Sequence, residues 1–147
     1  MVLGHACILP QPTHRFLGIM LDQELRWKQQ ADSALARATK WTLAFQRPAK
    51  SFSGVNLRLM RQLYRAVAIP KILYAVDVWY TPIHKKHGAH KSSGSVGTTN
   101  KFISFQRTAA LAITGALRST ATDVLDLHAG LLPMTLVLCQ ACHRAVL

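Results

Sequence analysis

The segment CQACH, residues 139–143, sets two cysteines and a histidine at the spacing of covalent haem attachment. In that chemistry two thiols bond the haem vinyl groups and the imidazole ligates iron. Here the pattern ends an apolar helical stretch in a chain with no export signal, so it reads as helix with a surface histidine, and no cofactor is expected. HKKHGAH places His84, His87 and His90 at three-residue steps. A structural zinc site wants four ligands on a folded scaffold. Lys85, Lys86 and Lys91 crowd the same stretch, and no metal site is expected.

Nucleotidyl transfer needs carboxylates that hold a pair of metal ions roughly 4 Å apart. The acidic residues are Asp22, Glu24, Asp32, Asp77, Asp123 and Asp126, with no adjacent aspartate pair. Asp123 and Asp126 stand at helical spacing, but acids in a first helical turn simply complement the helix dipole. No phosphate-binding glycine loop, nucleophile elbow or HExxH is present. No catalytic residue is assigned, and the chain alone is not expected to be an enzyme.

Cations remain. Arg58, Arg61 and Arg65 recur at steps of three and four, which places them along one side of a helix. Such a stripe either solvates an amphipathic helix or lies along a phosphate backbone, one arginine per phosphate. Arg37 and Lys40 would widen the patch. Lys plus Arg number 18 against six acids, a net charge of +12. That balance points to a polyanion, most often nucleic acid, and concerns partners more than fold.

The elements that must carry these residues are mostly helices. Residues 1–22 look extended, with the β-prone HRFLGIMLD. Residues 28–46 look helical, with Ala31, Ala34, Leu35, Ala38, Trp41 and Phe45 on one face, Pro48 as the stop and Ser53 as the next cap. A second helix is expected from about 54 to 80, apolar along Leu59, Met60, Leu63, Tyr64, Val67, Ile72, Leu73 and Val76, with a kink at Pro70. The stretch 84–98 reads as a mobile basic loop. A third helix is expected over 100–114 with Thr99 as cap, then a short helix closed by Gly130 and a last one opened by Pro133.

The fold class is therefore mainly α, a short N-terminal β segment followed by a bundle of four or five helices. An apolar share of 50% excludes a disordered tail. No uncharged apolar run reaches about 18 residues, so no membrane span is expected. Three cysteines, Cys7, Cys139 and Cys142, make no disulfide framework, and an intracellular setting, nuclear or cytoplasmic, is expected.

Three blocks carry a resemblance. HRFLGIMLDQELRWKQQADSALARATKWTLAFQRPAK resembles the segment just after the polymerase core in reverse transcriptases of non-LTR retrotransposons. LRLMRQLYRAVAIPKILYAVDVWYTP resembles the helical region that follows. FQRTAALAITGALRSTATDVLDLHAGLLPM resembles the stretch beyond it, and the wording is closest to fungal elements. The resemblance implies that residues 1–22 are a remnant of the palm edge, with Phe16, Leu17 and Gly18 at the region that grips the primer. It implies that residues 23–147 are a thumb-like domain that holds the template–primer duplex without reading sequence. The family's catalytic Tyr/Phe-x-Asp-Asp motif has no counterpart here. The alternative is an interaction protein or a relic, whose apolar surface is reused in pairing with a second copy.

Overall fold

The computed structural model describes residues 2–3, 6–7, 11–49, 56–85, 88 and 91–144. Ser53, His87 and His90 lie outside them, as do the side chains of Cys7 and Phe45. Two antiparallel hairpins come first, β1 (Val2–Leu3) with β2 (Ala6–Cys7), then β3 (Thr13–Phe16) with β4 (Ile19–Asp22). Seven α-helices follow among the described residues: α1 (Lys28–Ala49), α2 (Leu57–Leu63), α3 (Ile69–Ile72), α4 (Val76–Trp79), α5 (Val96–Thr114), α6 (Thr122–Ala129) and α7 (Met134–Arg144). The mainly α class with a short β start holds.

The β3–β4 turn is Leu17–Gly18, both at positive φ, 46° and 84°. Two consecutive left-handed residues are what a two-residue hairpin of type I′ needs. Register runs from Thr13 opposite Asp22 to Phe16 opposite Ile19. The extended segment thus pairs with itself rather than lying open as a single strand. Asp22 ends it and starts the first long helix: its carboxylate accepts from the N–H of Arg26 at 2.8 Å and of Trp27 at 3.0 Å. Desolvation pushes the Asp22 pKa up, but those backbone donors from Trp27 and Arg26 outweigh it and hold the carboxyl below its usual range.

α1 runs three residues past the expected end and includes Pro48 in its last turn. A proline there removes one hydrogen bond and clashes only with the turn before it, so the chain leaves the helix one residue later. The second helix differs more. It starts at Leu57, capped by Asn56 Oδ1 accepting from Arg58 N at 2.9 Å, and it is not one kinked rod to residue 80. A π turn, Tyr64–Ala68, links α2 to α3, with the N–H of Ile69 bonded to the carbonyl of Tyr64. Pro70 has no N–H to donate, and widening the preceding turn accommodates that loss. The break falls later, at Ala75, whose φ of 53° separates α3 from α4.

The buried residues of this region are Met60, Tyr64, Ala68, Ile72 and Val76, at steps of four. Four residues advance a regular α-helix about 40° beyond a full turn, so such a row drifts off a straight face. The π turn unwinds that drift. Leu59 and Leu63, expected in the core, are instead 49% and 38% exposed.

α5 begins at Val96, four residues before the expected start, and takes the last three residues of the predicted loop. Thr99 is not its cap. It is buried inside the helix, where its hydroxyl meets Tyr80 Oη at 2.8 Å. His84 and Ser93 exchange backbone hydrogen bonds of 3.0 and 2.9 Å, which close the loop between them. Gly130, φ 62°, closes α6 as expected, and the carbonyl of Pro133 starts α7. One core joins α1, α4, α5, α6 and α7 to the α2–α3 segment. Within it the Tyr64 and Phe105 rings stack at 6.3 Å, and Trp79 lies 6.3 Å from Phe102.

Candidate nucleic-acid interface

The hairpin is fastened to the helices at two points. The N–H of Met20 donates to Oε1 of the fully buried Gln30 on α1, at 2.9 Å. The hydroxyl of Tyr74, just past α3, donates to the carbonyl of Leu17 at 2.8 Å. These ties leave an open cleft of about 730 Å³ between the β3–β4 turn, α1 and α3. Arg15, Arg37, Lys40 and Lys71 surround it, with Trp41, Pro70 and Tyr74 as its apolar faces and Gly18 on its edge.

The cleft holds uncompensated charge. The described residues contain two ion pairs, Arg26–Glu24 and Lys101–Asp32, and neither involves a cleft cation. Lys71 Nζ sits 4.1 Å from the ring centroid of Trp41. Nε and Nη2 of Arg37 are buried and have no hydrogen-bond partner among the described residues. A guanidinium so placed favours an anionic acceptor.

Of the residues that sequence singled out, Arg37, Lys40 and Gly18 meet here, with Phe16 and Leu17 in the same hairpin, 59% and 74% exposed. The stripe on α2 and the π turn does not. Two of its arginines, Arg65 and Arg61, turn toward the end of α6. Arg65 Nη2 donates to the carbonyl of Gly130. Arg61 is half-buried, and a Cβ built on Gly130 would stand 2.5 Å from its Nη1. Both guanidinia thus complement the carbonyl end of a helix, where cations are favoured. Arg58 is exposed, and among the described residues its side chain makes no hydrogen bond or ion pair. Sequence reasoning missed Arg15, Lys71, Trp41 and Tyr74. The step Lys71–Tyr74 and the adjacent Lys40–Trp41 were the available signals, a basic residue beside an aromatic one on two separate segments.

The carboxylates are dispersed. Asp22 holds the backbone N–H groups of Arg26 and Trp27 just before α1, Glu24 and Asp32 form the two ion pairs, and Asp126 accepts from Gln106 Nε2 at 2.9 Å. Cys139 and Cys142 are half-buried free thiols on α7. Among the described residues no three His, Cys, Asp or Glu side chains gather as a ligand set, and no single helix is long and apolar enough to cross a membrane.

The chain is similar to a curated protein, the Retrovirus-related Pol polyprotein from type-1 retrotransposable element R1 3 of Nasonia vitripennis. Identity is 23% over 119 residues, which are 81% of this chain and 30% of that polyprotein. The chain therefore spans less than a third of that relative's length. This similarity supports a retrotransposon-related origin. No family model matches the chain, and no solved structure matches it.

Proposed function

We propose that this chain is the palm-edge and thumb-like part of a reverse transcriptase from a fungal-type non-LTR retrotransposon, and that by itself it binds template–primer duplex without sequence preference. The observation that carries the reading is the cleft. Four cations without carboxylate partners among the described residues converge around Trp41 and Tyr74, beside the hairpin turn that the resemblance assigns to the primer grip. Arg15, Arg37, Lys40 and Lys71 each meet a backbone phosphate, which fixes position and carries no base information. The aromatic faces pack on sugar or on a terminal base. RNA-directed DNA synthesis belongs to the larger enzyme, because the acids of this chain do not gather: Asp22 holds backbone N–H groups, Glu24 and Asp32 sit in ion pairs, and Asp126 holds Gln106. Its place is intracellular, where that nucleic acid is.

The test is fluorescence anisotropy with RNA–DNA and DNA duplexes over a range of salt. Four phosphate contacts give a log–log slope of about −3.6 on DNA, at roughly 0.9 per contact. Changing all four cleft cations to glutamine should abolish binding in a protein that still melts cooperatively. Unchanged affinity in that folded variant overturns the reading.

A further inference from the structure

We propose that a second cavity, between the π turn, α5 and α7, receives one unstacked nucleotide, its base against Tyr64 and Gln106 and its phosphate on Arg65 and Arg144. This extends the nucleic-acid reading to another place on the molecule and rests on it.

The cavity measures about 350 Å³, and Ile69, Leu73, Leu131 and Val137 give it apolar walls. Two of its lining residues, Tyr64 and Gln106, are 1% and 2% exposed and so form its floor. Each brings a buried polar atom without a hydrogen-bond partner among the described residues, Tyr64 Oη and Gln106 Oε1. Buried polar groups are nearly always satisfied, and one left open disfavours the fold unless something fills it.

The two atoms specify what fits. Nε2 of Gln106 is held by Asp126 Oδ1 and by the carbonyl of Leu132, both at 2.9 Å, so the amide cannot turn. Its free oxygen only accepts, and the ligand must bring an N–H. Burial, and secondly the charge of Asp126, push the Tyr64 phenol above its usual range, so it stays a neutral O–H able to donate. A flat heteroaromatic ring with apolar faces and N–H and acceptor groups on its edge answers both, which describes a nucleobase. At the rim, Arg65 and Arg144 are exposed cations suited to the phosphate. Tyr64 also opens the π turn, a local distortion frequent at functional sites.

Two sources share this chemistry, a free nucleoside monophosphate and an unpaired nucleotide in a strand. The experiment titrates the protein with each of the four ribonucleoside monophosphates. It also compares a blunt duplex with the same duplex carrying one unpaired terminal nucleotide. Tyr64→Phe removes only an unpartnered hydroxyl and should not lower the melting temperature. It should weaken nucleotide binding about tenfold, the worth of one hydrogen bond. Ala141→Phe, from the cavity wall, should fill the space and abolish that binding. Monophosphate binding without an overhang increment assigns the cavity to free nucleotide, and an increment assigns it to a strand. No saturable binding in either arm, or equal binding by both folded variants, overturns the proposal. The blunt duplex reports on the cleft alone, so failure of that reading appears in a separate arm.

Discussion

Lys71 holds its ammonium 4.1 Å from the centroid of the Trp41 ring, joining α3 to α1 across the floor of the basic cleft. The contact adds little to stability, because an exposed cation–π pair contributes about 0.5–1 kcal/mol. Its position matters more. Lys71→Gln should weaken binding to all duplexes alike and flatten the salt slope by about 1, with the melting temperature nearly unchanged. Anisotropy at three or more salt concentrations, beside a thermal melt, checks this. An unaltered slope would remove Lys71 from the interface.

Arg65 should behave in the opposite way. Its guanidinium donates to the Gly130 carbonyl and so ties the π turn to the end of α6. Arg65→Gln should cost about 1 kcal/mol of folding stability, a charged hydrogen bond discounted for exposure. Arg58→Gln, lacking such a tie, should leave stability within about 0.5 kcal/mol. Urea midpoints of the two variants settle the comparison, and equal midpoints would refute it. Blunt-duplex affinity should be unmoved in both.

The helical class, the extended N-terminal segment, the glycine that closes α6 and the proline that opens α7 were all legible, because each depends on residues close together in sequence. Two things were not. The apolar spacing over 57–80 suits one amphipathic helix, yet the core selects residues 60, 64, 68, 72 and 76 and unwinds a turn to align them. That choice is made by Phe105 and its neighbours on α5, distant in the chain. The cleft was half legible for the same reason. Arg37 and Lys40 share a helix face and were found, whereas Arg15 and Lys71 join them only through the hairpin's ties to Gln30 and Tyr74.

Asp126 predicts a pH dependence. Its carboxyl is buried, and burial first, then the charge of Asp123, push its pKa up against the opposing bond from Gln106. A carboxyl raised in the fold holds its proton more tightly folded than unfolded. Its contribution to stability is present in full below the ordinary carboxylate pKa of about 4 and is lost as pH rises through the folded value. Asp126→Asn keeps an acceptor for Gln106 and removes the titration. The variant should match the wild type in acid and be the more stable of the two at neutral pH. Urea midpoints from pH 3.5 to 7.5 would show the curves diverging, and parallel curves would exclude Asp126 as the source.

Gly18 decides whether the hairpin stays on the helices. Its φ is 84°, a conformation that disfavours any side chain by roughly 1 kcal/mol. A Cβ there would also stand 3.4 Å from Cε1 of Tyr74, in van der Waals contact with the ring whose hydroxyl holds Leu17. Gly18→Ala should therefore loosen the turn from α3. The effect should be local, because the hairpin side chains are half-buried or exposed, and the core does not include them. Amide exchange should quicken over residues 16–20 while the global unfolding midpoint moves by less than about 1 kcal/mol in equivalent stability. Tyr74→Phe removes the same tie from the other side and should quicken the same amides without the strain. A loosened hairpin exposes strand edges, so both variants should also self-associate more at high concentration. If exchange in 16–20 follows only global unfolding in both variants, the Tyr74–Leu17 bond is not what holds the hairpin in place.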